Sequence, residues 1–305
     1  SAVARSRGRR VHNTHGVPIG LVDNAWGGSA VESWIPRDAL EREGEYNELL
    51  TSWDEKTAAM TDQIFAAEVA AYKKWVADGK PGAKRRGPRD SRASNYRPAN
   101  IFNGVLHPII GYGIRGAIWY QGEANARRAY PYRSLFPLML TTWREPWQQV
   151  AFPFYLVQLA DFYQEAPEPR DSAWAELREA QSMTLSLPNT WQAVIIDVGE
   201  GRDIHPRDKQ TVANRLARIA LARDYGIDMA WQSPSYDSMQ LDGNAISIQL
   251  KHVSEGGLYT FDVSEAFGFE IAGEDQKFVW AEAKLDGGNK VKVSSPQVPN
   301  PVAVR

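Results

Sequence analysis

The chain has 305 residues, 24% of them charged and 43% hydrophobic, with a formal net charge of −2. That balance excludes a general electrostatic pull toward nucleic acid or an anionic membrane. The lack of cysteine excludes disulfides, thiolate metal sites and a cysteine nucleophile. No apolar run approaches the roughly 18 residues a membrane-spanning helix needs, and the length suits one large α/β domain, alone or with a small appended one.

The 11 tryptophans and 12 tyrosines are many; such rings fill cores, and they also line sugar-binding clefts. The first ten residues, S-A-V-A-R-S-R-G-R-R, lack the apolar run of a signal peptide and look like no domain start. The last, P-V-A-V-R, stop inside a strand-like run. A chain truncated at both ends is expected.

Val17 to Asn24, V-P-I-G-L-V-D-N, is predicted as a short buried strand, apolar and closed by polar residues. The turn A-W-G-G-S follows. Residues 38 to 78 are helical in pattern, with Leu49, Leu50, Trp53, Ile64, Phe65, Val69, Tyr72 and Trp75 at roughly helical spacing. Gly79 to Pro98 is a basic loop or insertion, rich in Gly, Pro, Lys, Arg and Ser. Gly116 to Gln121 is predicted as a second strand, Tyr132 to Trp147 as a helix, and Phe152 to Leu159 as a third strand. Ser172 to Leu187 is a further helix, Trp191 to Val198 a fourth strand, and Lys209 to Asp224 a helix with Val212, Leu216, Ile219 and Ala220 on one face.

Strands alternating with helices imply a parallel sheet covered on both faces. Ligands of such sheets sit beyond the carboxyl ends of the strands. W-G-G-S, Q-G-E-A-N and G-R-D-I-H each follow a predicted strand, so all three are expected on one rim. From about Trp231 the texture changes to short alternating runs: Ile246–Leu250, Gly257–Phe261, Phe267–Ile271, Phe278–Lys284 and Lys290–Val293. They are broken by D-G-N, E-G-G, A-G-E-D and D-G-G-N, which is hairpin chemistry. We therefore expect an α/β domain over residues 1–228 and a small antiparallel β domain over 229–305.

In D-I-H-P, Pro206 disfavours helical geometry at His205 and can open the next helix. His205 is thus a candidate general base. Asp203 is near enough in sequence to orient its ring, though a loop Asp and His before a helix also serve as caps. The glycines of W-G-G-S can bring backbone N–H groups to an oxyanion, or simply make a tight turn. Ser29 is a candidate nucleophile, but no G-x-S-x-G elbow surrounds it. Gln121, Glu123 and Asn125 stand within one turn after a strand. The two amides can donate to an oxyanion or a sugar hydroxyl, and Glu123 can bind a hydroxyl. With Trp26, Glu123 is a candidate substrate contact. A glycosidase would want two facing carboxylates; Glu123 and Asp203 would then serve, leaving the histidine without a task. No H-E-x-x-H or similar cluster appears, so no metal and no cofactor are expected.

Taken in order, the motifs resemble the sialate O-acetylesterase family of carbohydrate esterases, within the SGNH hydrolase superfamily. G-V-P-I-G-L-V-D-N-A-W-G-G-S-A-V-E-S-W is similar to its second block. I-F-N-G-V-L-H-P-I-I-G-Y-G-I-R-G-A-I-W-Y-Q-G-E-A-N-A is similar to its third, and D-I-H-P-R-D-K-Q to its last. The tail from G-F-E-I-A-G-E-D onward is similar to its C-terminal β region. The resemblance implies a three-layer, flavodoxin-like α/β sheet, and a serine esterase removing O-acetyl groups from sugars. It makes His205 the base, Asp203 its orienting acid and Gly28 an oxyanion donor, with Asn125 or Gln121 as the second. The family's nucleophile lies in an upstream G-Q-S-N-like block that does not occur here. The serine is therefore expected outside these residues, and the chain alone is expected to be weakly active or inactive. The expected partner is an acetylated glycan, with no nucleic acid and no membrane insertion. The family implies a secreted or periplasmic setting. Rival readings are a sugar-binding protein that kept the cleft and lost the chemistry, and a glycosidase.

Overall fold

A computed structural model describes residues 1–149, 151–163, 166–261 and 263–305. In chain order it holds α1 (Ala2–His15), α2 (Arg37–Glu43), α3 (Asn47–Ala58), α4 (Asp62–Ala77), β1 (Ala117–Trp119), α5 (Ala129–Trp147), β2 (Phe154–Val157), α6 (Ala173–Met183), β3 (Thr190–Ala193) and α7 (Lys209–Arg223). There follow β4 (Ser235–Asp242), β5 (Ala245–Lys251), β6 (Glu270–Ala272), β7 (Val279–Trp280), β8 (Glu282–Leu285), β9 (Lys290–Ser294) and β10 (Ala303–Val304). The chain divides into two units. The first comprises residue 1 and residues 20–159 and 173–191; the second comprises 2–19, 160–172 and 192–305. The second unit thus takes in α1 and α7 together with the C-terminal strands, where the sequence places a boundary at residue 228.

β1 and β2 pair in parallel, Ala117 opposite Phe154 and Trp119 opposite Leu156, within a three-stranded parallel sheet ordered β1-β2-β3. All four side chains of β2 are buried, as a strand covered on both faces requires. In the first unit, α5 lays Tyr132, Leu135, Phe136, Met139, Leu140 and Trp143 into the core. Trp34, Trp119, Trp143 and Phe136 meet there ring to ring, at centroid distances of 5.3 to 6.1 Å. These tryptophans are core residues, and burial of rings this size contributes a large share of the packing energy.

Ahead of β1, one predicted strand is absent. Residues 17–24 form no strand, and Val17, Leu21 and Val22 are exposed. An apolar run becomes a strand only where a neighbour offers a ladder for its N–H and C=O groups; among the described residues none pairs with this segment. The long helical stretch 38–78 is three helices, the first closed by Gly44 at φ +70°. Gly79–Pro98 is a loop with one short 3-10 turn, Ser91–Ala93.

In the second unit α1 packs along α7 with Val3, Gly8 and Val11 buried; the sequence reading did not foresee this helix. The C-terminal strands form two antiparallel sheets, β4-β5-β9-β8 and β10-β6-β7. Ile246, Ile248, Ile271, Ala283, Val291, Val293 and Val298 form their shared core. Asp242 pairs with Ala245 across a two-residue turn in which Gly243 has φ +62°, the hairpin geometry that D-G-N implies. Two expectations change. Gly257–Phe261 is not a strand, and its Tyr259 and Phe261 are exposed. β4 is a strand the alternation did not reveal, because a bulge between Tyr236 and Ser238 interrupts its period.

Candidate functional site

Within the first unit, the W-G-G-S turn and the Q-G-E-A-N stretch are joined by hydrogen bonds. Gln121 follows β1 and is buried. Its Nε2 donates to the Ser29 carbonyl at 2.8 Å and to Asn125 Oδ1 at 2.7 Å, while its Oε1 accepts from the Tyr132 hydroxyl at 3.0 Å. Asn125 is wholly buried in the 3-10 helix Glu123–Arg128. Its Oδ1 also accepts from the Val31 backbone N–H at 2.9 Å, and its Nδ2 donates to Glu32 Oε2 at 3.0 Å. Both Gln121 amide hydrogens are thus committed inside the network, whereas Asn125 retains one.

Gly28 is exposed, with φ +67°, a left-handed conformation that favours glycine. Its N–H makes no hydrogen bond among the described residues. Asn95 braces the turn: its Nδ2 donates to the Gly27 carbonyl at 3.1 Å, and its own carbonyl accepts from Ala30 N–H at 3.2 Å. Ser29 is 3% exposed; its hydroxyl donates to the Trp26 carbonyl and accepts from Trp34 Nε1, both at 2.9 Å. Trp26 holds its ring in solvent, and Glu123 is half-buried. Burial first, and the charge of Glu123 second, push the Tyr120 hydroxyl well above its ordinary range.

Asp203 and His205 lie in the second unit, ahead of α7. Asp203 N–H donates to the Glu200 carbonyl at 2.8 Å, closing a tight turn. A Cβ at Gly201 would stand 2.8 Å from the Tyr163 carbonyl oxygen, so the loop's close approach there needs glycine. Asp203 Oδ1 accepts the backbone N–H of His205 at 2.9 Å and stands 3.8 Å from its Nδ1. The carboxylate thus fixes the backbone under the ring and lies near the ring nitrogen without bonding it. The imidazole is 85% exposed. Asp208, three residues on, caps α7 by accepting from Thr211 N–H at 2.9 Å, and these bonds from Thr211 hold its carboxyl below the usual range.

Sequence comparison decides the family resemblance. The chain is 30% identical over 263 residues to the sialate O-acetylesterase of Rattus norvegicus and 31% identical over 266 residues to that of Mus musculus. Each match covers 79% of this chain and 46% of the relative. The Homo sapiens sialate O-acetylesterase is 28% identical over 263 residues, 42% of its length. The chain is sialate O-acetylesterase-like. It spans about half the length of the curated relatives it matches. Its fold is similar to that of a carbohydrate acetylesterase from Xanthomonas citri, with a TM-score of 0.76 and 33% identity over 99% of this chain and 59% of that one. No protein-family model matches the chain.

Two members of the network around Gln121 and Asn125 escaped sequence reasoning. Glu32 is 1% exposed; its Oε1 accepts from Arg128 Nη2 at 2.6 Å while Oε2 holds Asn125. The signal was a lone acid inside the apolar run after the glycine turn. Gln181 on α6 is fully buried; its Nε2 donates to the carbonyls of Gln121 and Val157, and its Oε1 accepts from Leu159 N–H. It thereby satisfies backbone groups at the last residue of β2 and just past the ends of β1 and β2. No group of three or more His, Asp or Glu able to hold a metal occurs among the described residues.

Proposed function

We propose that the chain carries the acid–base end and an oxyanion donor of a carbohydrate O-acetylesterase, with the nucleophilic serine outside residues 1–305. The observation that carries this is the D-I-H-P corner. It presents an exposed imidazole with a carboxylate 3.8 Å from Nδ1, in a chain similar to sialate O-acetylesterases over 79% of its length. The engaged, buried hydroxyl of Ser29 supports a nucleophile elsewhere.

On this reading the serine attacks the acetyl carbonyl while His205 takes its proton. The tetrahedral oxyanion accepts the Gly28 N–H and an amide hydrogen. Asn125 is the better-suited amide, since Gln121 has none to spare. Collapse expels the sugar alkoxide, which receives the proton from His205. Water then attacks the acyl-enzyme with His205 again as base, and acetate leaves. Asp203 orients the ring and stabilises the imidazolium that forms. Trp26 and Glu123 contact the sugar, one by stacking and one by accepting from a hydroxyl. The setting is secreted or periplasmic; no helix among the described residues is long and apolar enough to cross a membrane.

The test is product analysis with the intact protein on acetylated glycans. Acetate release, falling by about four orders of magnitude in His205→Ala, is the expected result. Release of shorter sugars in place of acetate, with loss on Glu123→Gln, would make it a glycosidase. Glycan binding with neither product would make it a binding protein.

A further inference from the structure

We propose that Glu32 is a positioning residue of this site, setting the orientation of the Asn125 amide and, through it, the turn that carries Gly28. The inference rests on the acetylesterase reading above and concerns a residue that touches no substrate.

Asn125 must present its oxygen to two donors, the Val31 N–H and Gln121 Nε2. Its Nδ2 then faces Glu32, and a carboxylate can only accept. Acceptor on one side and donors on the other leave the amide a single satisfied orientation. Val31 N–H is thereby held from below, and the Ser29 carbonyl, two residues before it, is held by Gln121. These two bonds clamp the turn immediately after Gly28. Removing water from a carboxylate is costly unless it is paired, and Arg128 pairs this one at Oε1 from a partly exposed position.

The arrangement makes an unusual demand on residue 32: it must accept twice, once from Arg128 and once from Asn125. Glutamine has one oxygen. In Glu32→Gln the oxygen goes to the charged guanidinium, the stronger donor, and the Gln NH2 is left against Asn125 Nδ2. Donor then faces donor, and the Asn125 amide is no longer held. Removing Arg128 as well frees that oxygen for Asn125, so the double variant regains what the single one loses.

The experiment compares parent, Glu32→Gln and Glu32→Gln/Arg128→Ala in the intact protein. Two readouts are taken: kcat and KM for acetyl-ester hydrolysis, and hydrogen–deuterium exchange by mass spectrometry over residues 29–35. The expected result for Glu32→Gln is a loss in kcat of about ten-fold or more, the scale of one lost hydrogen bond to a charged group, with KM nearly unchanged and faster exchange at Val31. Both are expected to move back toward parent values in the double variant. A merely structural acid would give additive damage, so a double variant worse than the single one overturns the proposal. Unchanged exchange in Glu32→Gln overturns it too, whatever the activity. Whether the parent releases acetate, and loses this in His205→Ala, tests the acetylesterase reading separately.

Discussion

Asn125 stands between a carboxylate and a backbone N–H, and truncating it strands both. In Asn125→Ala, Glu32 Oε2 and the Val31 N–H lose their side-chain partner in a buried setting. Each stranded group costs about 1–3 kcal/mol, so urea denaturation of the protein is expected to show a loss of at least about 2 kcal/mol. Asp197 makes a different prediction. Its carboxylate receives two hydrogen bonds from Arg215, which hold it below the usual carboxylate range. A depressed folded-state value means stability that is fully present above the unfolded aspartate value, about 4. That stability is lost as pH falls through the lower folded value. Asp197→Asn is therefore expected to be less stable than the parent at neutral pH, with the gap closing in acid. Thermal melts of both proteins across pH 2 to 7 check the sign; a gap that widens in acid contradicts it. Among single residues, motif order exposed Gly28, Asn125, Asp203 and His205 as site candidates. Glu32 and Gln181 stayed hidden because a buried polar residue is meaningful only through its partners, and theirs are distant in sequence.

At the scale of elements, the join between β1 and α6 depends on a missing side chain. Gly122 sits where the chain leaves β1, and a Cβ there would lie 2.7 Å from Leu177 Cδ2 and 3.2 Å from Gln181 Nε2. Gly122→Ala thus pushes on the helix that latches the sheet ends. Overpacking of this kind costs about 1–3 kcal/mol, which denaturant unfolding would register as a lower midpoint with an unchanged slope. The C-terminal strand gives a parallel case. β10 pairs with β6, Arg305 bonds Glu270 and its guanidinium lies 4.1 Å from the Phe278 ring centroid. Deleting residues 302–305 removes all three contacts and is expected to lower the melting temperature. Helix periods were readable in α5 and α7 because one buried stripe repeats along each. Strand existence was less so. The run at 17–24 has strand composition without a strand partner, while β4 has a partner and, through its bulge, no clean period.

For the whole molecule, the expected outcome concerns activity. By the proposed assignment, residues 1–305 alone hold an acid–base pair and an oxyanion donor and no nucleophile. Such a chain retains at most the residual catalysis of binding and electrostatics. Its acetyl-ester hydrolysis is expected to fall about four orders of magnitude below that of the intact protein. Full activity in these residues, abolished by Ser29→Ala, would return the nucleophile to Ser29. The sequence by itself determined the α/β class, the separate antiparallel tail and the resemblance to sialate O-acetylesterases, because these reside in local period, turn chemistry and the order of short motifs. Only the tertiary structure decided which polar groups are buried together. It closed the Ser29–Gln121–Asn125–Glu32 network over separations of up to 93 residues, and it joined α1 to α7 within the second unit although they stand far apart in the chain. Desolvation and hydrogen-bond geometry act on neighbours in space, and no spacing along the chain encodes them.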